Sequence, residues 1–291
     1  MTNKCLTVAL HGGAGATRDR TYDAEIPHMR GLIEAARDRL KAGAAALDVA
    51  VETVAALEAS GLYVAGRGAS PNSAGRYELD ASLMDGPSRR AGAVAALQGF
   101  RSPIAAARAV MERTPHVMLA GEGAADLARQ AGLETIDDPD AWFTRAGRRP
   151  RENPAPLSHG TVGCVVRDAE GRLAAATSTG GVFNKLHGRV GDTPIPGAGT
   201  WADETVAVSC TGVGEYFIRS AAAAQVSFRM RLAGQDLASA AQATLDDLKA
   251  LGGDGGLIAV AADGTLVTPY NTQGMKRATL TADGEIRSEV F

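Results

Sequence analysis

Residues 158–181 run SHGTVGCVVRDAEGRLAAATSTGG, and their reading decides the fold. Thr161 to Val166 is an apolar run of strand composition. Asp168-Ala169-Glu170-Gly171 turns it, and Arg172 to Thr179 returns as a second strand, which is a hairpin signal. Working outward, residues 5–10 (CLTVAL) read as a buried strand that ends in the glycine turn His11 to Ala16. Helical spacing covers Glu25 to Lys41, with Met29, Leu32, Ile33, Ala36 and Leu40 on one face, and again Ala44 to Glu58. Strands are expected at 77–84, 91–98 and 206–210, and the chain closes with strands at 256–261 and 265–268. Further helices are expected at Pro103–Arg113, Glu122–Ala131, Glu215–Leu232 and Leu237–Leu251. Paired strands and paired helices point to an α/β layered fold, sheet against sheet with helices outside.

Between the halves the character changes. Residues 134–160 carry Asp137, Asp138, Pro139, Arg148, Arg149, Pro150, Arg151, Pro154 and Pro156, with little periodicity. An exposed, mobile linker of that length inside a compact domain often signals function.

Composition excludes several classes. Of 291 residues 45% are hydrophobic and 22% charged, which supplies a globular core. Thirty basic against 33 acidic side chains leave a net charge of -3, so bulk charge offers nothing to nucleic acid or an anionic membrane. No run reaches the length of a spanning helix, and the N-terminus lacks the features of a secretory signal. Cys5, Cys164 and Cys210 are odd in number, far apart and set in apolar runs, so they read as small core residues in a reducing compartment. A cytoplasmic protein is expected.

Five constellations can carry chemistry. Gly160-Thr161-Val162-Gly163 joins linker to strand, where a threonine is also an ordinary strand opener. A threonine hydroxyl needs a base, and no Ser/His/Asp set stands near it. Cleavage before Thr161 would supply one, because a free α-amine titrates at about 7.7–8.0. Thr177-Ser178-Thr179-Gly180-Gly181 puts three hydroxyls at a strand end, to orient a nucleophile or to cap a turn. In Gly188-Arg189-Val190-Gly191-Asp192, a guanidinium fork and a carboxylate three residues apart suit the zwitterionic end of an amino acid, or form a surface ion pair. Cys210-Thr211-Gly212-Val213-Gly214-Glu215 leads a strand into a helix and suits an oxyanion, but it lacks the lysine of a phosphate loop. His11-Gly12-Gly13-Ala14-Gly15 has the wrong glycine spacing for a dinucleotide fold.

Together with ELDASLMDG (78–86), AGAVAAL (91–97), PHVMLAGEGA (115–124), NKLHGRVGD (184–192), GGDGGLIAV (252–260) and NTQGM (271–275), these segments resemble the plant-type asparaginase and isoaspartyl peptidase family. Its members are threonine-dependent N-terminal nucleophile hydrolases. The resemblance runs in order along nearly the whole chain. It implies a four-layer αββα sandwich, one structural domain made as a precursor that cuts itself between Gly160 and Thr161. The products would be an α subunit, 1–160, and a β subunit, 161–291, paired as a dimer of αβ heterodimers. By motif position Thr161 is the nucleophile, and Thr179 orients it. Arg189 takes the substrate α-carboxylate, and Asp192, with Gly212 or Gly214, takes the α-ammonium. Thr211 and Gly212 form the oxyanion hole.

No cofactor is needed for the chemistry. The resemblance implies a structural sodium ion on the carbonyls of Leu57, Glu58, Ser60, Tyr63, Ala65 and Arg67. The expected substrate is a β-aspartyl dipeptide or L-asparagine, with neither nucleic acid nor membrane as partner. One departure stands out: Val64 occupies a position where the family usually has asparagine, and Arg67 is added nearby. Lys276 replaces a usual tyrosine. These changes are expected to alter choice on the leaving-group side. A degenerate aspartate-binding protein, a glycosylasparaginase-like hydrolase and a taspase-like endopeptidase stay open as alternatives.

Overall fold

The computed structural model describes residues 5–146 and 160–291. In chain order it has β1 (Thr7–Ala14), α1 (Glu25–Lys41), α2 (Ala46–Ser60), β2 (Leu79–Asp85), β3 (Ala91–Leu97), α3 (Pro103–Arg113), β4 (Met118–Ala120), α4 (Gly121–Gln130) and α5 (Pro139–Trp142). The second part has β5 (Thr161–Arg167), β6 (Leu173–Thr179), β7 (Thr200–Ala202), β8 (Val206–Gly212), α6 (Gly214–Ser220), α7 (Ala222–Ala233), α8 (Leu237–Ala250), β9 (Gly255–Ala261), β10 (Leu266–Val267), β11 (Met275–Leu280) and β12 (Ile286–Glu289).

The strands form two sheets. One has eight strands in the order β12-β11-β1-β5-β6-β2-β3-β4, and the other has four, β10-β9-β8-β7. Along β5, Val162, Cys164 and Val166 pack under α1–α4, whereas Val165 meets Ala207 and Ile258 of the small sheet. Burial on both faces explains why this strand reads as a continuous apolar run. On β8 the alternation reverses role: Val206, Val208 and Cys210 pack under the helices α7 and α8. The layers are therefore helix, sheet, sheet, helix, and the αββα class is correct.

The long helices follow their apolar stripes. Met29, Ile33, Ala36 and Leu40 of α1 are buried at intervals of three and four. Each fully buried leucine of this layer stabilises the fold by roughly 1.5–3 kcal/mol. Ser102 caps α3 from its hydroxyl, with Pro103 at the first helical position.

Three expectations need correction. The helix expected over 215–232 is broken at Ala221, which has a φ of 49°. The first turn of α7 gives its N–H groups to the loop beneath: Ala223 to the carbonyl of Ala198 and Ala224 to that of Gly197. A run of four alanines carries no side-chain signal for such a break. The chain does not close at 268 either, because β11 and β12 extend the large sheet beside β1. The charged residues of MKRATL and IRSE mask these strands, and buried Arg277 is paired with Glu289 at 2.8 Å.

The expected linker is not uniformly exposed. Residues 134–146 are tied down: Phe143 stacks on Tyr77 with centroids 3.7 Å apart, and Thr144 and Ala146 donate to the carbonyls of Arg67 and Gly68. Residues 147–159 of that linker lie outside the described residues. Cys164 and Cys210 are fully buried and Cys5 partly so, and all three are free thiols.

Candidate active site

The site forms where β5 and β6 begin and end together. In their ladder Thr161 is the direct partner of Thr179, and Thr179 is in turn the partner of Asp80 on β2. Both threonines face the small sheet. The Thr161 hydroxyl donates to Thr179 Oγ1 at 3.4 Å, and Thr179 Oγ1 donates to the Gly160 carbonyl at 2.6 Å. Gly181 N–H donates to Thr179 Oγ1 at 2.9 Å, which completes that oxygen's set.

A narrow cleft opens over this pair. Gly160, Thr161, Thr179, Gly181 and Val182 line one side, and Arg189, Asp192, Gly212 and Gly214 line the other. Thus eight of the residues singled out from the sequence converge. Arg189 makes a two-pronged contact with Glu215, 2.9 Å on each arm. Sequence reasoning missed Glu215 as a partner, although it closes the Thr211 motif. Asp192 is buried, its Oδ2 without a hydrogen-bond partner among the described residues, and burial pushes its carboxyl up to about 7. A Cβ on Gly214 would be 2.7 Å from Asp192 Oδ1.

Thr211 is placed differently. It is fully buried and does not line the cleft; its Oγ1 accepts from Ala14 N–H at 3.1 Å. Among the described residues no acceptor takes its own hydrogen.

Val64 sits against the peptide bond in question. A Cβ on Gly160 would overlap Val64 Cβ and Cγ2, and the Val64 carbonyl accepts from Gly180 N–H at 2.8 Å. Arg67 turns away from the cleft, its Nε donating to the Trp142 carbonyl at 3.2 Å and its guanidinium lying 5.3 Å from the Trp142 ring. Lys276 lies beside Gly12, and burial, with the Arg20 charge, holds its amine down to about 8.

Residues 57–67 form the end of α2 and a loop through a short 3-10 turn, Gly66–Gly68. The carbonyls of Leu57, Tyr63, Ala65 and Arg67 accept from Ser60 Oγ (2.8 Å), Ala65 N–H (2.8 Å), Gly68 N–H (3.0 Å) and Thr144 N–H (2.9 Å). Each carbonyl oxygen has two lone pairs, and that of Arg67 accepts a second time, from Thr144 Oγ1 at 3.4 Å. The Glu58 carboxylate is not available to a sodium ion there, since it caps α3 through Ser102 Oγ (2.6 Å) and Ile104 N–H (3.0 Å). Among the described residues no cluster of His, Cys, Asp or Glu is arranged to hold a metal, and no helix is long and apolar enough to cross a membrane.

The four-layer sandwich, with a polar cleft over the threonine that heads β5, is the fold of an N-terminal nucleophile hydrolase. The family described as Asparaginase matches residues 4–289, and the chain belongs to it. It is 45% identical to the isoaspartyl peptidase of Salmonella typhimurium, over 93% of this chain and 94% of that protein. It is 41% identical to the plant-type L-asparaginase of Pyrobaculum calidifontis, over 98% and 99%. To the isoaspartyl peptidase/L-asparaginase of Danio rerio it is 37% identical, over 93% and 91%.

Proposed function

We propose that this chain is an amidohydrolase, activated by its own cleavage, that hydrolyses β-aspartyl dipeptides and L-asparagine with Thr161 as nucleophile. The observation that carries the reading is the line of three oxygens, Thr161 Oγ1 to Thr179 Oγ1 to the Gly160 carbonyl, at 3.4 and 2.6 Å. In maturation Thr161 Oγ1 attacks the Gly160 carbonyl carbon. Its proton passes to Thr179, whose own proton goes to the Gly160 oxygen. The intermediate expels the Thr161 nitrogen, which takes up a proton, and leaves an ester between Gly160 and Thr161 Oγ1. Water splits that ester into a Gly160 carboxylate and a Thr161 with a free amine.

The freed amine then serves as general base near neutral pH. Thr161 Oγ1 attacks the side-chain carbonyl of the aspartyl unit, ammonia or an amino acid leaves, and water clears the acyl-enzyme. Arg189 takes the α-carboxylate, in the fork that Glu215 fills in the free chain. Asp192, with Gly212 or Gly214, takes the α-ammonium; its unpartnered Oδ2 supports that role. Thr211 and Gly212 supply the oxyanion donors, and the unspent hydrogen of Thr211 supports this. A structural sodium ion on the carbonyls of Leu57, Glu58, Ser60, Tyr63, Ala65 and Arg67 would stiffen the wall behind Val64 without entering the chemistry. The mature form would be a dimer of αβ heterodimers, and three free thiols suit a cytoplasmic location.

The test is intact mass of the purified full chain at neutral pH, beside Thr161→Ala. The expected outcome is conversion to 1–160 and 161–291 with asparaginase and isoaspartyl peptidase activity, both absent in the variant. A chain that stays whole and turns nothing over would favour an aspartate-binding protein instead.

A further inference from the structure

His11 takes no part in the chemistry above, yet it is wholly buried between the sheets with both ring nitrogens engaged. Nδ1 is 3.1 Å from the Thr161 carbonyl, and Nε2 is 3.0 Å from Ser209 Oγ. A carbonyl only accepts, so Nδ1 carries the hydrogen. Burial holds the imidazole down to about 3, so the ring is neutral and Nε2 accepts from Ser209.

The chain of contacts continues through four more strands. Ser209 Oγ is 2.8 Å from Thr177 Oγ1, which is 2.6 Å from Thr200 Oγ1. Ser82 Oγ is 2.8 Å from Thr200 Oγ1 and 2.6 Å from the Thr193 carbonyl. None of these side chains is exposed. With His11 neutral, the hydrogens from Thr200 to Thr161 run one way. Ser82 shares its own between the Thr193 carbonyl and Thr200, Thr200 donates to Thr177, Thr177 to Ser209, Ser209 to His11, and His11 to Thr161. Two carbonyls thus end the network: that of the proposed nucleophile, and that of the residue next to Asp192. Gly163, two residues after Thr161, makes the space for it. A Cβ there would overlap Ser209 Oγ and stand 2.5 Å from His11 Nε2.

We propose that His11 is a positioning residue for Thr161: its Nδ1–H fixes the nucleophile's carbonyl, and the hydroxyl chain behind it ties that carbonyl to the loop carrying Asp192. Fixing the carbonyl sets the backbone torsion of Thr161, and with it the direction of Oγ1 toward the bound substrate. A misplacement of about 1 Å at a reacting atom costs on the order of a hundredfold in rate. The inference rests on Thr161 as nucleophile.

Two measurements test it. In the uniformly ¹⁵N-labelled full chain, with His11 assigned by the signals lost in His11→Asn, the ring is expected as the Nδ1–H tautomer, unchanged from pH 5 to 8. An Nε2–H tautomer, or titration in that range, would overturn the assignment. On cut enzyme with a β-aspartyl dipeptide, His11→Asn keeps an amide donor in the Nδ1 place, whereas His11→Gln reaches only toward Ser209. His11→Gln should lower kcat by roughly ten- to a hundredfold at nearly constant KM, while His11→Asn stays within a few-fold of the parent. Thr177→Val should lower kcat in the same direction, and Thr177→Ser should restore it. Equal losses in His11→Asn and His11→Gln, or an unaffected Thr177→Val, would mean that His11 only packs. If every His11 variant stays uncut, the tautomer decides. A parent chain without turnover would sink the proposed function and leave the tautomer measurement standing.

Discussion

The two sides of the cleft are built by different means. Thr161 and Thr179 are cross-strand partners, so the ladder of β5 and β6 sets their separation. Arg189 and Asp192 lie between β6 and β7, where no ladder reaches. That loop hangs instead from buried Glu78, whose carboxylate oxygens accept from Gly188 N–H at 3.2 Å and whose carbonyl accepts from Lys185 Nζ at 2.8 Å. Its far end is held by the Asp192 carbonyl, which accepts from Ile195 and Gly199 N–H. On the proposed reading, register positions the chemistry, and side-chain and loop-backbone tethers position recognition. Damage to the first should stop maturation and turnover together; damage to the second should spare maturation and weaken substrate binding.

The largest expected effect is on the strand side. Gly160→Ala forces a methyl into Val64, and overpacking of this kind costs about 1–3 kcal/mol, so self-cleavage should slow by roughly ten- to a hundredfold. Adding Val64→Gly, which removes the Cβ that the methyl meets, should return most of the rate, read as cut fraction against time by mass spectrometry. A slow double variant would mean that Val64 is not the obstacle. On the loop side, Arg189→Lys loses the planar fork. It should raise KM about tenfold with kcat and maturation little changed; an uncut chain would erase the distinction drawn here.

The smallest effect is one of pH. Burial raises the Asp192 carboxyl from 3.8 to about 7, so the neutral form gains as pH falls through that value and loses its hold on an ammonium group. Between pH 7.5 and 6.5 KM should rise roughly threefold, and Asp192→Asn should flatten that limb at a higher KM. A KM that ignores pH would place the ammonium elsewhere.

Much of this was legible in residue order. The bounds of α1 and α3 follow their apolar spacing and punctuation, and the 161–179 hairpin follows its Asp-Ala-Glu-Gly turn. Four of the five glycine-flanked motifs place residues on one cleft, and His11-Gly12-Gly13-Ala14-Gly15 does not. What stayed hidden depends on partners far away in sequence. His11, Ser82, Thr177, Thr200 and Ser209 sit singly in five strands, each an ordinary alternation until two sheets bring them together. Gly163 was the available clue, a residue without a side chain in the middle of a strand. Glu215 and the packing of 138–146 were hidden for a simpler reason: charge-rich text masks an ion pair with a site residue in the first case and the Trp142–Phe143 anchor in the second.

The strand order has a consequence for what the proposed cut would leave behind. β1 lies between β11 and β5, and β2 lies against β6, so strands from either side of the Gly160–Thr161 bond alternate within one sheet across three seams. Severing that bond removes no sheet hydrogen bond. It changes the molecularity of folding instead. Before the cut, unfolding and refolding are events of one chain. Afterwards two polypeptides must find each other, so recovery from denaturation becomes concentration-dependent, and each half alone would face solvent with bare sheet edges. The interleaved sheet therefore makes maturation a one-way step: an assembly that only the uncut chain can form readily is kept, once cut, by the same ladders.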